Sequence, residues 1–385
     1  MSSGVPNTVA GVVVSVPLEL IESIPILLLE GTPEEMGHEH GRLLKNEIGL
    51  LVDGFVRRSN EIFGVPYHFL LEQSARCANF IPSMYLEEMR AIAEGCEVPY
   101  ADILALNCIA DVDGCYMGAL HQCCNFVLLP SVTRGRLIHG RNLDFPLGRD
   151  IHARVGICIA RSPASETLLP TISPTIVGMV GTYTGMSAAR LSLSEVSTPA
   201  SDCDIEGVPI SIVLRMVLEK ARNLADALEI VKNVPRTCGY NLALADGKSG
   251  EAGAIEFTRS LCAWRSARRG TLIVDDCCQC PQTARNRLTY SAGTFRYARM
   301  RTLIEEHRGA LCAEAALRFL RDKYDGATGR ENGKSYNCIC NHHTIQSVLM
   351  FPAEMSLAVA HEMIPAPDGE YRLIDMSSIW AQYHE

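Results

Sequence analysis

The chemistry of this chain is concentrated around Cys123, in the run His121-Gln122-Cys123-Cys124-Asn125-Phe126-Val127-Leu128-Leu129. A turn at Thr133-Arg134-Gly135 follows, and then Arg136-Leu137-Ile138-His139-Gly140-Arg141-Asn142-Leu143-Asp144-Phe145-Pro146. Two apolar or alternating runs joined by a glycine-containing connection predict a strand, a turn and a returning strand. Backbone pairing pins a thiol at the start of the first strand and brings Arg141 and Asp144 back beside it. Such a thiol, next to a cation and an acid, suits an activated nucleophile. Cys124 is the competing nucleophile, and Cys115 ranks last because no strand follows it.

The elements that must position this hairpin can be read around it. Thr32, Pro33 and Glu35 supply a cap, a first-turn proline and a capping-box acid ahead of Met36, Leu44, Ile48, Leu51 and Phe55 at helical spacing. His38, Glu39 and His40 in the first turns are expected to be solvated or capping. Helices are also predicted over 69–80, 86–93 and 100–106, so the first third is mainly helical. Strands are predicted over 155–160, 176–180, 191–194, 241–245, 252–257 and 272–274, with helices from Pro209 to Leu218 and over 224–231, the second capped by Asn223. Helices over 297–306 and 313–320, then strands over 345–349, 357–360 and 371–374, complete the chain. Strands and helices in blocks predict an α+β layered protein.

The composition narrows the function. Of 385 residues, 47% are hydrophobic and 21% charged, enough to bury a sizeable core, and no linker divides the chain. A net charge of -9 without a basic cluster argues against nucleic acid as a partner. Residues 1–30 lack a positive leader and are broken by Pro17, Glu19, Glu22 and Pro25, so neither a signal peptide nor a membrane span is expected. The 16 cysteines are scattered rather than framed, which fits reduced thiols and a cytoplasmic location. Cys277, Cys278 and Cys280 with Cys338, Cys340, His342 and His343 do not match a standard zinc spacing, so no metal is expected. No other cofactor is expected either.

Several segments together resemble the autoproteolytic cysteine-type N-terminal-nucleophile (Ntn) hydrolases of the penicillin acyltransferase type. They are 31–41 (GTPEEMGHEHG), Glu88 to Gly95 with Asp102 to Asn107, Gly140 to Phe145, Gly207-Val208-Pro209, Tyr240-Asn241 with Glu256-Phe257, Phe295 to Arg299, and Cys338 to His342. The block at 140–145 is also similar to the acid ceramidase and acylethanolamine amidase group.

The resemblance implies a four-layer αββα sandwich behind a mainly helical segment 1–122, with 123–385 as the catalytic part of one compact unit. It implies cleavage between Gln122 and Cys123, with the two pieces remaining associated, and leaves a homo-oligomer possible. Cys123 would be nucleophile and, through its freed α-amine, base, while Arg141 and Asp144 fix and polarise that terminus. The substrate would be a small-molecule amide or acyl donor. Asp276 stands where the family carries an oxyanion-binding asparagine, and an ionised carboxylate cannot donate there, so Asn286 could replace it. Ser187, in place of another asparagine, is a pocket or a turn residue; Asn142 and Cys124 are further pocket candidates. The alternative is an uncleaved, catalytically impaired family member acting as a binding protein.

Overall fold

Local signals start the chain as expected. In this computed structural model, which describes residues 25–117, 123–276, 278–288 and 291–381, strand β1 (Ile26–Gly31) runs into helix α1 (Pro33–Leu43). Thr32 caps that helix: its hydroxyl accepts from the Glu35 N–H at 3.2 Å, while the Glu35 carboxylate accepts from the Thr32 N–H at 2.8 Å. Helices α2 (Lys45–Leu51), α3 (Ser59–Phe63), α4 (Tyr67–Ala78), α5 (Ser83–Cys96) and α6 (Tyr100–Tyr116) follow, with a π-helical turn over Val52–Val56. The glycines of the opening motif have a packing reason. A Cβ on Gly41 would fall 2.2 Å from the Ile92 carbonyl oxygen of α5, and one on Gly37 2.4 Å from that of Glu88, so these glycines let two helices touch backbone to backbone.

The hairpin at the centre of the chain is β2 (Cys124–Leu128) and β3 (Ile138–Asp144), paired antiparallel with Asn125 opposite Arg141 and Cys124 opposite Asn142. Next come α7 (Arg149–Val155), β4 (Gly156–Pro163), β5 (Thr171–Ile176), β6 (Thr184–Ser187), β7 (Leu191–Ser197), α8 (Ile210–Lys220) and α9 (Leu224–Asn233). The remainder is β8 (Tyr240–Asp246), β9 (Glu251–Phe257), β10 (Cys262–Ser266), β11 (Thr271–Val274), α10 (Ser291–Glu306), α11 (Ala313–Leu320), the short pair β12 (Tyr324–Asp325) and β13 (Arg330–Glu331), β14 (Thr344–Phe351), β15 (Ser356–Ala360), β16 (Arg372–Asp375) and α12 (Met376–Ala381).

Two sheets result, one ordered β1-β4-β5-β6-β7-β8-β9-β10 and the other β11-β2-β3-β14-β15-β16. They face each other. His139 on β3 meets the Ser192 and Ser194 hydroxyls of β7 at 2.9 and 2.8 Å, and the Asn125 amide donates to the Glu195 carbonyl at 3.2 Å. Helices α8 and α9 cover the outside of the larger sheet, and α10 and α11 the outside of the smaller. The expected αββα sandwich is therefore the architecture.

Three expectations need correction. Residues 177–180, expected as part of a strand, form a connection after β5, because the Asn107 side chain accepts from the Val180 and Gly181 N–H groups at 2.8 and 3.1 Å and holds the backbone away from a ladder. His40 is not solvated: it is fully buried, and its Nε2 accepts the Gly178 N–H at 3.0 Å. Burial, with Arg161 and Arg215 nearby, drives its pKa down to about 3, so the ring is neutral. Finally, the N-terminal third also supplies a strand, since β1 pairs parallel with β4 at the edge of the larger sheet.

A buried charge network joins that N-terminal third to the sandwich. Glu88 of α5 pairs with Arg215 of α8 at 2.6 Å and with Arg161 of β4 at 3.4 Å; Arg215 also holds Glu219 at 2.7 Å, and the Tyr85 hydroxyl donates to Glu219 at 2.8 Å.

Candidate active site

Strand alternation decides what each residue of the hairpin meets. Cys123, Asn125 and Val127 of the first segment, like His139, Arg141 and Leu143 of the second, turn to the space between the sheets. Cys124, Phe126 and Leu128 turn to the helical layer, where they pack with Met300, Leu303 and Phe319. The sequence therefore brings Cys123 and Arg141 to one face.

The Cys123 side chain is fully buried, with the Arg141 guanidinium and the backbone of Asp144 near enough to favour its thiolate. Burial pushes its thiol up to about 12; Arg141 pulls the other way, while Glu195 and Asp144 add to the rise. In the uncut chain the sulfur is thus protonated at neutral pH, and acting as a nucleophile requires a base.

Arg141 is locked in turn. It donates to the Glu195 carbonyl at 2.5 Å, to the Glu195 carboxylate at 2.9 Å and to the Asn125 side-chain oxygen at 3.3 Å. Both members of the Arg141–Glu195 pair are buried. Burial raises the Glu195 carboxyl, and the guanidinium opposes that rise. Glu195 was missed by sequence reasoning; the available signal was an acid interrupting the otherwise Ser- and Leu-alternating run of β7. Beside this pair lies a small cavity of about 10 Å³, lined by Ala110, Leu143, Phe145, Tyr183, Glu195, Ser197 and Tyr240.

Asp144 is held at the other side of the sheet end. Its carboxylate accepts from Asn341 at 2.6 Å and from the Thr344 hydroxyl at 2.6 Å. Burial pushes it up to about 6, against the pull of Arg296 and of these two donors. Arg296, also unforeseen as a site residue, pairs with Asp275 at 2.9 Å and Asp276 at 3.3 Å and donates to the Tyr336 carbonyl. One guanidinium thus serves three carboxyl groups. Burial pushes the Asp275 carboxyl well above the usual carboxylate range; Arg296 pulls it back, and the neighbouring Asp276 adds to the rise.

The remaining candidates separate. Asp276 is tied to Arg296 rather than presenting a donor, and Asn286 donates to Asp202 at 2.9 Å and to the Ser260 hydroxyl at 3.1 Å. Asn241 lies closer to this corner, donating to the Asp275 carbonyl at 2.8 Å. Asn142 points into the helical layer, where its amide donates to the carbonyls of Leu320 and Ile339 at 2.9 Å each. Cys124 shares that layer with Asp275. Ser187 stands at the β6–β7 turn, its carbonyl accepting from Arg190 at 2.9 Å; the register places it about 13 Å along the hairpin from the level of Glu195. Asn142, Cys124 and Ser187 therefore do not line the cavity beside Arg141. Gln122 lies outside the described residues.

The cysteines weighed as zinc ligands are spread out. Cys280 belongs with Trp264 and Glu256, while Cys338 and Cys340 pack by the backbone of Lys323 and Asp322; Cys277 lies outside the described residues. Among the described residues, no group of three or more His, Cys, Asp or Glu side chains is arranged to hold a metal ion, and no helix is long and apolar enough to cross a membrane.

A four-layer sandwich with a thiol ahead of an inner strand and an arginine paired across the sheets has the features implied by an Ntn-type fold. The family resemblance is borne out by comparison: the model of the acyl-coenzyme A:6-aminopenicillanic acid acyl-transferase family matches residues 197–362. The chain is similar to the acyl-coenzyme A:6-aminopenicillanic-acid-acyltransferase 40 kDa form of Emericella nidulans, with 24% identity over 65% of this chain and 68% of that one. It is also similar to an uncharacterized protein of Archaeoglobus fulgidus, with 29% identity over 59% of this chain, and spans 42% of that relative's length. It spans 58% of protein dcd1A of Dictyostelium discoideum, at 26% identity. Among solved structures, a Caenorhabditis elegans N-acylethanolamine-hydrolyzing acid amidase ortholog aligns at a TM-score of 0.45 and 15% identity, over 60% of this chain and 93% of that one.

Proposed function

We propose that the chain is an Ntn-type enzyme that cleaves or forms a small-molecule amide through a thioester on Cys123, after opening its own backbone between Gln122 and Cys123. The observation that carries this reading is the buried Cys123 sulfur, set between the sheets within the influence of Arg141 and directly ahead of β2. Attack of that sulfur on the Gln122 carbonyl shifts the acyl group from nitrogen to sulfur, and water then releases the N-terminal piece. The α-amine so freed titrates near ~7.7 to 8.0 and supplies the base that the buried thiol lacks. It takes the thiol proton as sulfur attacks the substrate carbonyl, and returns a proton to the leaving amine. Arg141, fixed by Glu195, stabilises the thiolate. Water at the thioester completes hydrolysis; a second amine completes acyl transfer.

The alternative is an uncut binding protein, and it draws on the ion pair that occupies Asp276 at the oxyanion position. Intact mass separates the two. Two pieces, the second beginning at Cys123, together with turnover of acyl amides that Cys123→Ala lacks, support the enzyme. A single unbroken chain without turnover overturns it.

A further inference from the structure

Away from Cys123, three thiols meet at the junction of three elements. Cys115 lies near the end of α6, Cys203 in the connection between β7 and α8, and Cys238 just before β8. The three thiols are close enough to perturb one another, with the Cys203 thiol donating to the Ala200 carbonyl at 3.0 Å and the Thr237 hydroxyl 3.7 Å from the Cys238 sulfur. The backbone around them is anchored at one atom: the Thr237 carbonyl accepts the Asp204 N–H at 2.9 Å and lies 4.0 Å from the Cys115 sulfur. Gly114 makes room for the group, since a Cβ there would stand 3.1 Å from the Cys238 sulfur. Cys238 is buried, whereas Cys115 and Cys203 are half-buried and open to a small reagent. None of the three belongs to the proposed acyl-transfer machinery.

We propose that this cluster is a site of reversible thiol oxidation, in which a hydroperoxide joins Cys115 to Cys203. The Cys203 thiolate attacks a peroxide oxygen; the S–O bond forms, the O–O bond breaks, and the leaving oxygen takes a proton from solvent and departs as alcohol or, from hydrogen peroxide, water. The Cys115 thiol then attacks the resulting sulfenic sulfur; the S–S bond forms, the S–O bond breaks, and hydroxide leaves with the thiol proton as water. Two thiols lose two electrons in all, and the peroxide gains them. Cys203 is suited to the first step because it is half-buried and the neighbouring Cys115 and Cys238 thiols lower it below an ordinary thiol, which favours its thiolate. Cys115 is the partner because Cys238, though in contact, is enclosed.

The bond would link the part of the chain before residue 123 to the part after it. It does not depend on the acyl-transfer reading, because cutting is scored on reduced protein and the disulfide on unreduced protein. The test treats the full chain with hydrogen peroxide, alkylates the remaining thiols and maps unreduced peptides by mass. The expected result is a peptide pair joined through Cys115 and Cys203, absent after thiol reduction and absent in Cys203→Ser. A Cys203–Cys238 pair, over-oxidised Cys203 without a link, or full alkylation of both thiols in the peroxide-treated wild type each overturn the proposal.

Discussion

Cys123 and Cys124 are neighbours in the chain, and both are buried, yet they occupy different chemical worlds. Cys123 faces a guanidinium whose carboxylate partner comes from the opposite sheet. Cys124 faces Asp275 and an apolar helical layer, and burial with that acid pushes its thiol well above the usual range. One position along a strand exchanges the two environments, because the pleat repeats every two residues. Thiol identity alone does not select the nucleophile here; the face of the sheet does.

The comparison breaks most visibly in activity. Cys123→Ala is expected to lose acyl-amide turnover by about four orders of magnitude or more, whereas Cys124→Ala stays within a few-fold of wild type in kcat/KM. The reverse ranking would sink the assignment. Next in size is Glu195→Ala, which leaves Arg141 buried without its carboxylate and is expected to cost about 3 to 5 kcal/mol in urea unfolding. Asp275→Asn should cost less, since Arg296 keeps Asp276; equal losses would mean that the two faces are not distinguished by their charge pairs.

A third contrast is in pH. Buried His139 is held down to about 3, so its contribution to stability is complete above its unfolded value near ~6.5 and is lost as pH falls toward 3, by at most about 1.4 kcal/mol per pH unit. Asp144, pushed up to about 6, has the opposite sign: its contribution is present below the unfolded value near ~3.9 and is lost as pH rises through 6. Denaturant midpoints across pH 4 to 7 should therefore lose part of their acid slope in His139→Gln; an unchanged slope removes that histidine as its cause. The smallest effect is Cys124→Val, a near-volume swap expected to cost under about 1.5 kcal/mol in thermal or urea unfolding.

Much of the fold was legible because its signals are local. The hairpin follows from alternation around Gly135, α1 from its capping box, and α9 from Asn223, whose side chain accepts the Asp226 N–H at 2.9 Å. Where tertiary contacts overrule local pattern, legibility ended. Residues 177–180 read as a strand, but their backbone is claimed by Asn107, some seventy positions earlier. Strand β1 has no local partner and is completed only by β4. The site divides in the same way: Cys123 and Arg141 lie on one hairpin and could be placed together, whereas Glu195 and Arg296 reach its two faces from distant elements.

The ion network of Glu88, Arg161, Arg215 and Glu219 crosses the position at which the backbone would be severed. Two of its acids and both arginines lie in a dry interior, so pulling the leading piece away would strand charge there. Scission ahead of Cys123 would thus create a new terminus without creating a new shape, and dilution alone would not part the fragments.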